Sequence, residues 1–128
     1  MNGYITNIEQ VTKENADYRR VLYTAKHHQL VVMSLASGEE IGEEVHQLDQ
    51  FFRFEEGQGK VIIDGVEHEV KDGDAVIVPE GAKHNVVNIG SGTLKLYTIY
   101  SPPNHKDGTV QSTKAEEYEE HFDGVTTE

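Results

Sequence analysis

Glu44, His46, Gln50 and His84 offer two imidazole nitrogens and two carbonyl-type oxygens. Zinc, manganese, iron, cobalt and nickel all accept such a donor mixture. Glu44 and His46 are two apart, so on an extended segment their side chains leave one face, with Cα atoms roughly 6.5–7 Å apart. They can share one cation. A straight strand would carry Gln50 roughly 13 Å beyond His46, out of range of a common ion. Gln50 joins the pair only if Gln47-Leu48-Asp49 is a turn that starts a new antiparallel strand. Phe52 and Phe54 then share the face of Gln50, and Phe51 and Arg53 point away. His84 is distant in sequence, and a barrel that closes on itself is the fold that unites it with His46. A plainer reading stands beside this one: GEEVHQLDQ as a solvated acidic loop entering a barrel that holds no metal.

His105 is the remaining candidate for chemistry and the one candidate catalytic residue. It lies in SPPNHKDGTV, residues 101–110, where Pro102 and Pro103 restrict the backbone and Asp107-Gly108 supplies a tight turn. If that loop crosses the mouth of a barrel, His105 stands where acid/base work near neutral pH is done. His27 and His28 read as turn residues, His68 as water-facing, and His121 as part of a polar helix. No Gly-rich phosphate loop, Ser/His/Asp order or basic-aromatic stripe is present. With no cysteine in the chain, disulfides and thiolate chemistry are excluded.

The elements that must position these residues are short β-rich runs separated by glycine-bearing turns: RRVLYTA, QLVVMSL, QFFRF, KVIID, VEHEV, AVIVP, HNVVNI and TLKLYTIY. That spacing predicts an all-β sandwich or barrel. Asp64-Gly65 is the strongest hairpin signal. Thr113 to Glu116 reads as a capping box, with AEEYEEHF as a short C-terminal helix. At 128 residues the chain predicts a single domain, 1–128. A formal charge of −12 argues against nucleic acid and anionic membrane surfaces as partners. The lack of a long apolar run and of a signal-like start predicts a cytoplasmic protein.

Gly73, Pro79, Gly81, His84 and Asn88 match every fixed position of G-x5-P-x-G-x2-H-x3-N. In this the chain resembles the cupin superfamily, of which that pattern is the second motif. The first motif, G-x5-H-x-H, three or four residues, E-x6-G, is matched in spacing by Gly38, Glu44, His46, Gln50 and Gly57. Glu replaces the first ligand His, and Gln replaces the ligand Glu. The resemblance covers roughly residues 30 to 100, leaving the C-terminal loop and helix, 101–124, outside it. It implies a double-stranded β-helix, or jelly-roll barrel, holding one divalent ion on Glu44, His46, Gln50 and His84. Zinc is foremost, because phosphomannose isomerases, which are cupins, use two His, one Glu and one Gln around zinc, although with Gln and Glu in exchanged order. It further implies action on a small oxygenated metabolite such as a sugar, sugar acid or enediol, by an isomerase, lyase or dioxygenase. The alternative is a non-catalytic, metal-dependent small-molecule binding or sensing module. Cupins pair through sheet edges, so a homodimer through the N-terminal strand or the RRVLYTA strand is expected.

Overall fold

The computed structural model of this chain describes residues 1–118 and 120–128. All eight predicted runs form strands: β1 (Arg19–Thr24), β2 (Gln29–Leu35), β3 (Asp49–Glu56), β4 (Gln58–Ile63), β5 (Val66–Lys71), β6 (Ala75–Val78), β7 (His84–Asn88) and β8 (Leu94–Ser101). A two-residue ninth strand, β9 (Val110–Gln111), is too short for a periodicity signal. One sheet has the order β6-β3-β8-β2-β1-β9, the other β5-β4-β7. All the ladders are antiparallel. Asp64 and Gly65 both take positive φ, 47° and 82°, closing the two-residue hairpin between Ile63 and Val66.

Strand alternation builds the interior between the sheets. Val31, Met33 and Leu35 of β2, Phe52 and Phe54 of β3, and Leu96 of β8 meet Val61 and Val86 from the facing sheet. Phe51 and Arg53 are only half-buried, as the alternation requires. Burial of each large apolar side chain stabilises the fold by about 1.5–3 kcal/mol. The result is a β-sandwich of the jelly-roll barrel type.

An N-terminal helix that the strand pattern does not announce, α1 (Ile8–Glu14), packs against β2, β3 and β8. Its start is written in Asn7-x-x-Gln10: the Asn7 side chain accepts the Gln10 N–H at 3.0 Å. Near the C terminus the helical element is a single 3₁₀ turn, Lys114–Glu116, shorter than AEEYEEHF. Thr113 makes no side-chain cap. Glu116 instead accepts the Ser112 N–H at 2.8 Å. Glu117 is already extended, drawn to Tyr18 and Arg19, and His121 pairs with His105. These tertiary contacts outweigh the weak tendency of a short polar segment to continue as a helix. Of that predicted segment, Glu119 lies outside the described residues.

The edge expected to mediate pairing of two copies is not free. β1 is hydrogen-bonded to β2 on one side and, through Arg19 and Arg20, to β9 on the other. Residues 1–7 form no strand. No helix among the described residues is long and apolar enough to cross a membrane.

Candidate metal centre

Glu44 and His84 are brought together by backbone register. Glu44 N–H donates to the His84 carbonyl at 2.8 Å, and His84 N–H donates back to the Glu44 carbonyl at 2.9 Å. The two residues therefore sit directly opposite one another at the entry of β7. His46, two residues on, is held by its carbonyl, which accepts the Gly81 N–H at 3.0 Å. Gly81 has φ 86°, a conformation that the Pro79-Glu80-Gly81 reversal needs glycine to reach. The expected turn follows as a bend at Gln47 and Leu48, and β3 brings Gln50 back into the interior. There Gln50 faces Tyr100 of β8, which in turn faces Gln29 of β2, and all three side chains are buried.

The donor atoms of Glu44, His46 and His84 all lie within 4.8 Å of one another. Ligands bound at about 2.0–2.2 Å to one ion are separated by up to about 4 Å, so the cluster is close to coordination size. His84 Nδ1 is 3.1 Å from the Ala82 carbonyl. A carbonyl only accepts, so Nδ1 carries the proton and Nε2 keeps its lone pair, as metal-binding imidazoles require. Glu44 Oε2 comes within 2.5 Å of His46 Nε2, yet that nitrogen is buried without an aligned hydrogen bond. The Gln50 amide donates Nε2–H to Thr98 Oγ1 at 3.0 Å and leaves Oε1 buried without a partner among the described residues. A buried unpaired polar atom costs about 1–3 kcal/mol, and a cation beside these donors removes the cost. A void of about 10 Å³, bounded among others by Glu44, Gln50, His84 and Tyr100, has room for a single atom-sized occupant. The residues present thus fit a divalent ion.

Burial alone would raise the Glu44 carboxyl, but the contact with His46 and the charges of His46, Arg19 and His84 outweigh it and hold the group below its ordinary range. Above this floor opens a cavity of about 580 Å³, lined by Glu44, His46, Arg19, His105, Glu117 and His121 together with Tyr118, Glu120 and other neighbours. His105 is fixed there by its backbone. Its N–H donates to Gln29 Oε1 at 2.9 Å, and its carbonyl accepts Gln29 Nε2–H at 2.7 Å. The ring Nε2 is 3.2 Å from the Tyr100 hydroxyl. Tyr100 stands between the two imidazoles, its ring 6.0 Å from that of His46 and 5.1 Å from that of His105. Burial, reinforced by Arg19, His46 and His121, pushes His105 down to about 3, so it is neutral at physiological pH. Burial pushes the Tyr100 phenol up to about 12.

His27, His28 and His68 are exposed and belong neither to this cluster nor to the cavity lining, His27 lying in a bend and His68 on β5. His121 lines the cavity rather than standing on a polar helix. The motif residue Asn88 braces the barrel: its amide donates to the carbonyls of Leu35 and Gly92 at 2.9 and 2.8 Å. Three residues were not singled out from sequence: Arg19 and Glu117, which line the cavity, and Tyr100, which bounds the small void beneath it. A signal existed for Arg19, because alternation in RRVLYT puts it on the face of buried Val21. The pairing of Glu117 with Arg19 spans most of the chain and left no local trace.

The family model of the cupin domain matches residues 31–100. The uncharacterized protein YrkC of Bacillus subtilis is 46% identical over 120 residues, covering 88% of this chain and 64% of its own length. This chain therefore spans just under two thirds of that relative. The crystal structure of BH2720 from Bacillus halodurans superposes with a TM-score of 0.88 at 46% identity, over 90% of this chain and 92% of that one. An RmlC-like cupin from Shewanella frigidimarina superposes at 0.61 with 26% identity, over 66% of this chain and 74% of that one.

Proposed function

The chain belongs to the cupin family, and from that premise we propose that Glu44, His46, Gln50 and His84 hold one divalent ion, zinc foremost, at the floor of a small-molecule site. Manganese, iron, cobalt and nickel suit the same donors. The observation that carries the reading is the convergence of the Glu44, His46 and His84 donor atoms beside Gln50 Oε1, an acceptor buried without a partner among the described residues. The bound molecule is a small oxygenated metabolite, of the sugar or enediol class, and the activity that of a metal-dependent isomerase, lyase or dioxygenase. When bound, the ion supplies Lewis-acid polarisation of a carbonyl or hydroxyl oxygen.

The chain's own residues do the rest. Glu44 and Gln50 set the charge of the donor set at one negative unit, with the neutral amide sparing the ion a second carboxylate. Thr98 fixes the Gln50 amide so that its oxygen faces inward. Gln29 clamps His105, whose neutral imidazole shares the Tyr100 hydroxyl proton at the cavity wall.

A second reading, non-catalytic and metal-dependent binding or sensing of a metabolite, is favoured by one observation: Tyr100, pushed up to about 12, and His105, pushed down to about 3, are both held uncharged and reluctant to exchange a proton near neutral pH. A screen of aldoses, ketoses and sugar acids with chelator-free and metal-stripped protein separates the two. Metal-dependent turnover supports the enzyme, and metal-dependent binding without turnover supports the sensor. Cytoplasmic location and homodimerisation complete the proposal. For the latter, exposed Ile77 on edge strand β6 offers an apolar contact.

A further inference from the structure

Arg19 is 3% exposed, a charged side chain almost wholly withdrawn from water. Its guanidinium is fixed on two sides. Nη1 donates to Gln111 Oε1 at 2.8 Å and to Glu117 Oε2 at 3.0 Å, and Cζ lies 5.2 Å from the centre of the Tyr18 ring. Nε is buried without an aligned hydrogen bond, Nη2 makes none among the described residues, and the guanidinium lies beside the Tyr100 hydroxyl. Nε and Nη2 form the side-on edge of the guanidinium, the edge that grips a carboxylate through two parallel N–H···O bonds. The one neighbour the chain offers there besides Gln111, Glu117 and Tyr18 is the Tyr100 hydroxyl, a neutral group, so no second carboxylate meets that edge from within the described residues, and an anion would satisfy it better.

Arg19 lines the cavity of about 580 Å³ that also exposes Glu44 and His46. It is the sole lysine or arginine among the described lining residues. The carboxylates that share the cavity are accounted for. Glu117 sits on Nη1, Glu44 belongs to the donor cluster, and the rim residues Glu43 and Glu120 stand 3.8 and 4.0 Å from Lys83 and Lys106. We propose that Arg19 anchors the carboxylate of a small organic acid in this cavity, Nε and Nη2 each taking one oxygen, while the acid's remaining oxygens face the Glu44/His46/His84 cluster. The contact with Arg19 stands on its own, and only the second contact rests on the metal reading. The ligand class is therefore narrowed from oxygenated metabolites in general to acids such as hydroxy or sugar acids. A neutral sugar of equal size would leave the guanidinium edge unpaired.

The test is calorimetric titration of the full chain, zinc-loaded and chelator-stripped, with glycolate, lactate, malonate and gluconate, each against its primary amide, and with inorganic phosphate. We expect at least one acid to bind tenfold or more tightly than its amide, and Arg19→Gln to abolish that preference. Arg19→Lys, which keeps the charge and loses the fork, should lose most of it. Glu117→Gln, which leaves Arg19 in place but removes its internal carboxylate, should tighten acid binding several-fold, and it serves if Arg19→Gln does not fold. The proposal is overturned by no acid preference in any pair, by a preference that survives Arg19→Gln, by phosphate binding tighter than every acid, or by unchanged or weaker acid binding in Glu117→Gln. Zinc content is measured in parallel by elemental analysis. Arg19-dependent acid preference in a chain that retains no zinc sinks the metal reading and upholds this one, while retained zinc without acid preference does the reverse.

Discussion

Gln50→Glu is the substitution whose effect should change sign with metal. Gln50 is 4% exposed, and its Nε2 donates to Thr98 Oγ1 at 3.0 Å. Without an ion, a glutamate there is buried and stands near Glu44, so folding favours its neutral acid form. Its O–H can still donate to Thr98. Protonating a carboxyl whose unfolded pKa is about 4.3 costs about 3.7 kcal/mol at pH 7, and this bounds the destabilisation. For a chain of this size that corresponds to a fall of about 10–18 °C in Tm. With an ion, the ionised carboxylate replaces a neutral oxygen donor and adds a negative charge at nearly constant shape. The ion should bind at least about tenfold more tightly, a gain of about 1.4 kcal/mol. The assay is thermal unfolding of wild type and variant, each stripped with chelator and each saturated with zinc. We expect a lower Tm for the stripped variant and a larger zinc-induced rise than in wild type. Equal zinc-induced rises in the two proteins would refute the reasoning and place Gln50 outside the coordination sphere.

Replacing His46 and His84 together with alanine removes both nitrogen donors and should abolish metal retention by elemental analysis, with the barrel intact by circular dichroism. His105→Ala should leave metal content unchanged and weaken ligand binding or turnover, because Gln29 and Tyr100 hold His105 at the cavity wall without contact to the ion's donors. The same histidine predicts a pH effect. Its folded pKa of about 3 lies below the ordinary 6.5, so the unfolded chain takes up the proton first as the medium is acidified. Stability from this group is full above pH 6.5 and is lost by up to about 1.4 kcal/mol per pH unit as pH falls toward 3. Urea titrations of wild type and His105→Gln between pH 7 and 4 should therefore converge, and a constant difference would contradict the buried neutral imidazole.

The strands were legible because each is a β-branched or aromatic run between residues that tolerate turns, and Asp64-Gly65 adopts the positive φ pair that its hairpin demands. The site was legible in part. Gly81 and His84 fall where the second motif put them, and the bend at Gln47 and Leu48 that Gln50 needed is present. Local pattern was silent where contacts are long-range. Thr113-Lys-Ala-Glu116 looks like a cap, but Glu117 gains more from Arg19 and the Tyr18 hydroxyl than from another turn of helix. β9 is too short to read, and by pairing with β1 it closed the edge expected to bind a second copy. The α1 start at Asn7 was readable and was overlooked beneath a β-dominated pattern. Clamping of His105 by Gln29, in a strand far upstream, has no sequence signature, since a buried glutamine in a β run looks like any polar interruption.

Anomalous diffraction from crystals of chelator-free protein tests the central claim most directly. The account predicts one anomalous peak per chain, about 2.0–2.2 Å from His46 Nε2, from His84 Nε2 and from a side-chain oxygen each of Glu44 and Gln50. The edge energy of that peak names the ion. Crystals of the same protein with no peak among these four residues, and with His46 Nε2 hydrogen-bonded to water, would contradict it.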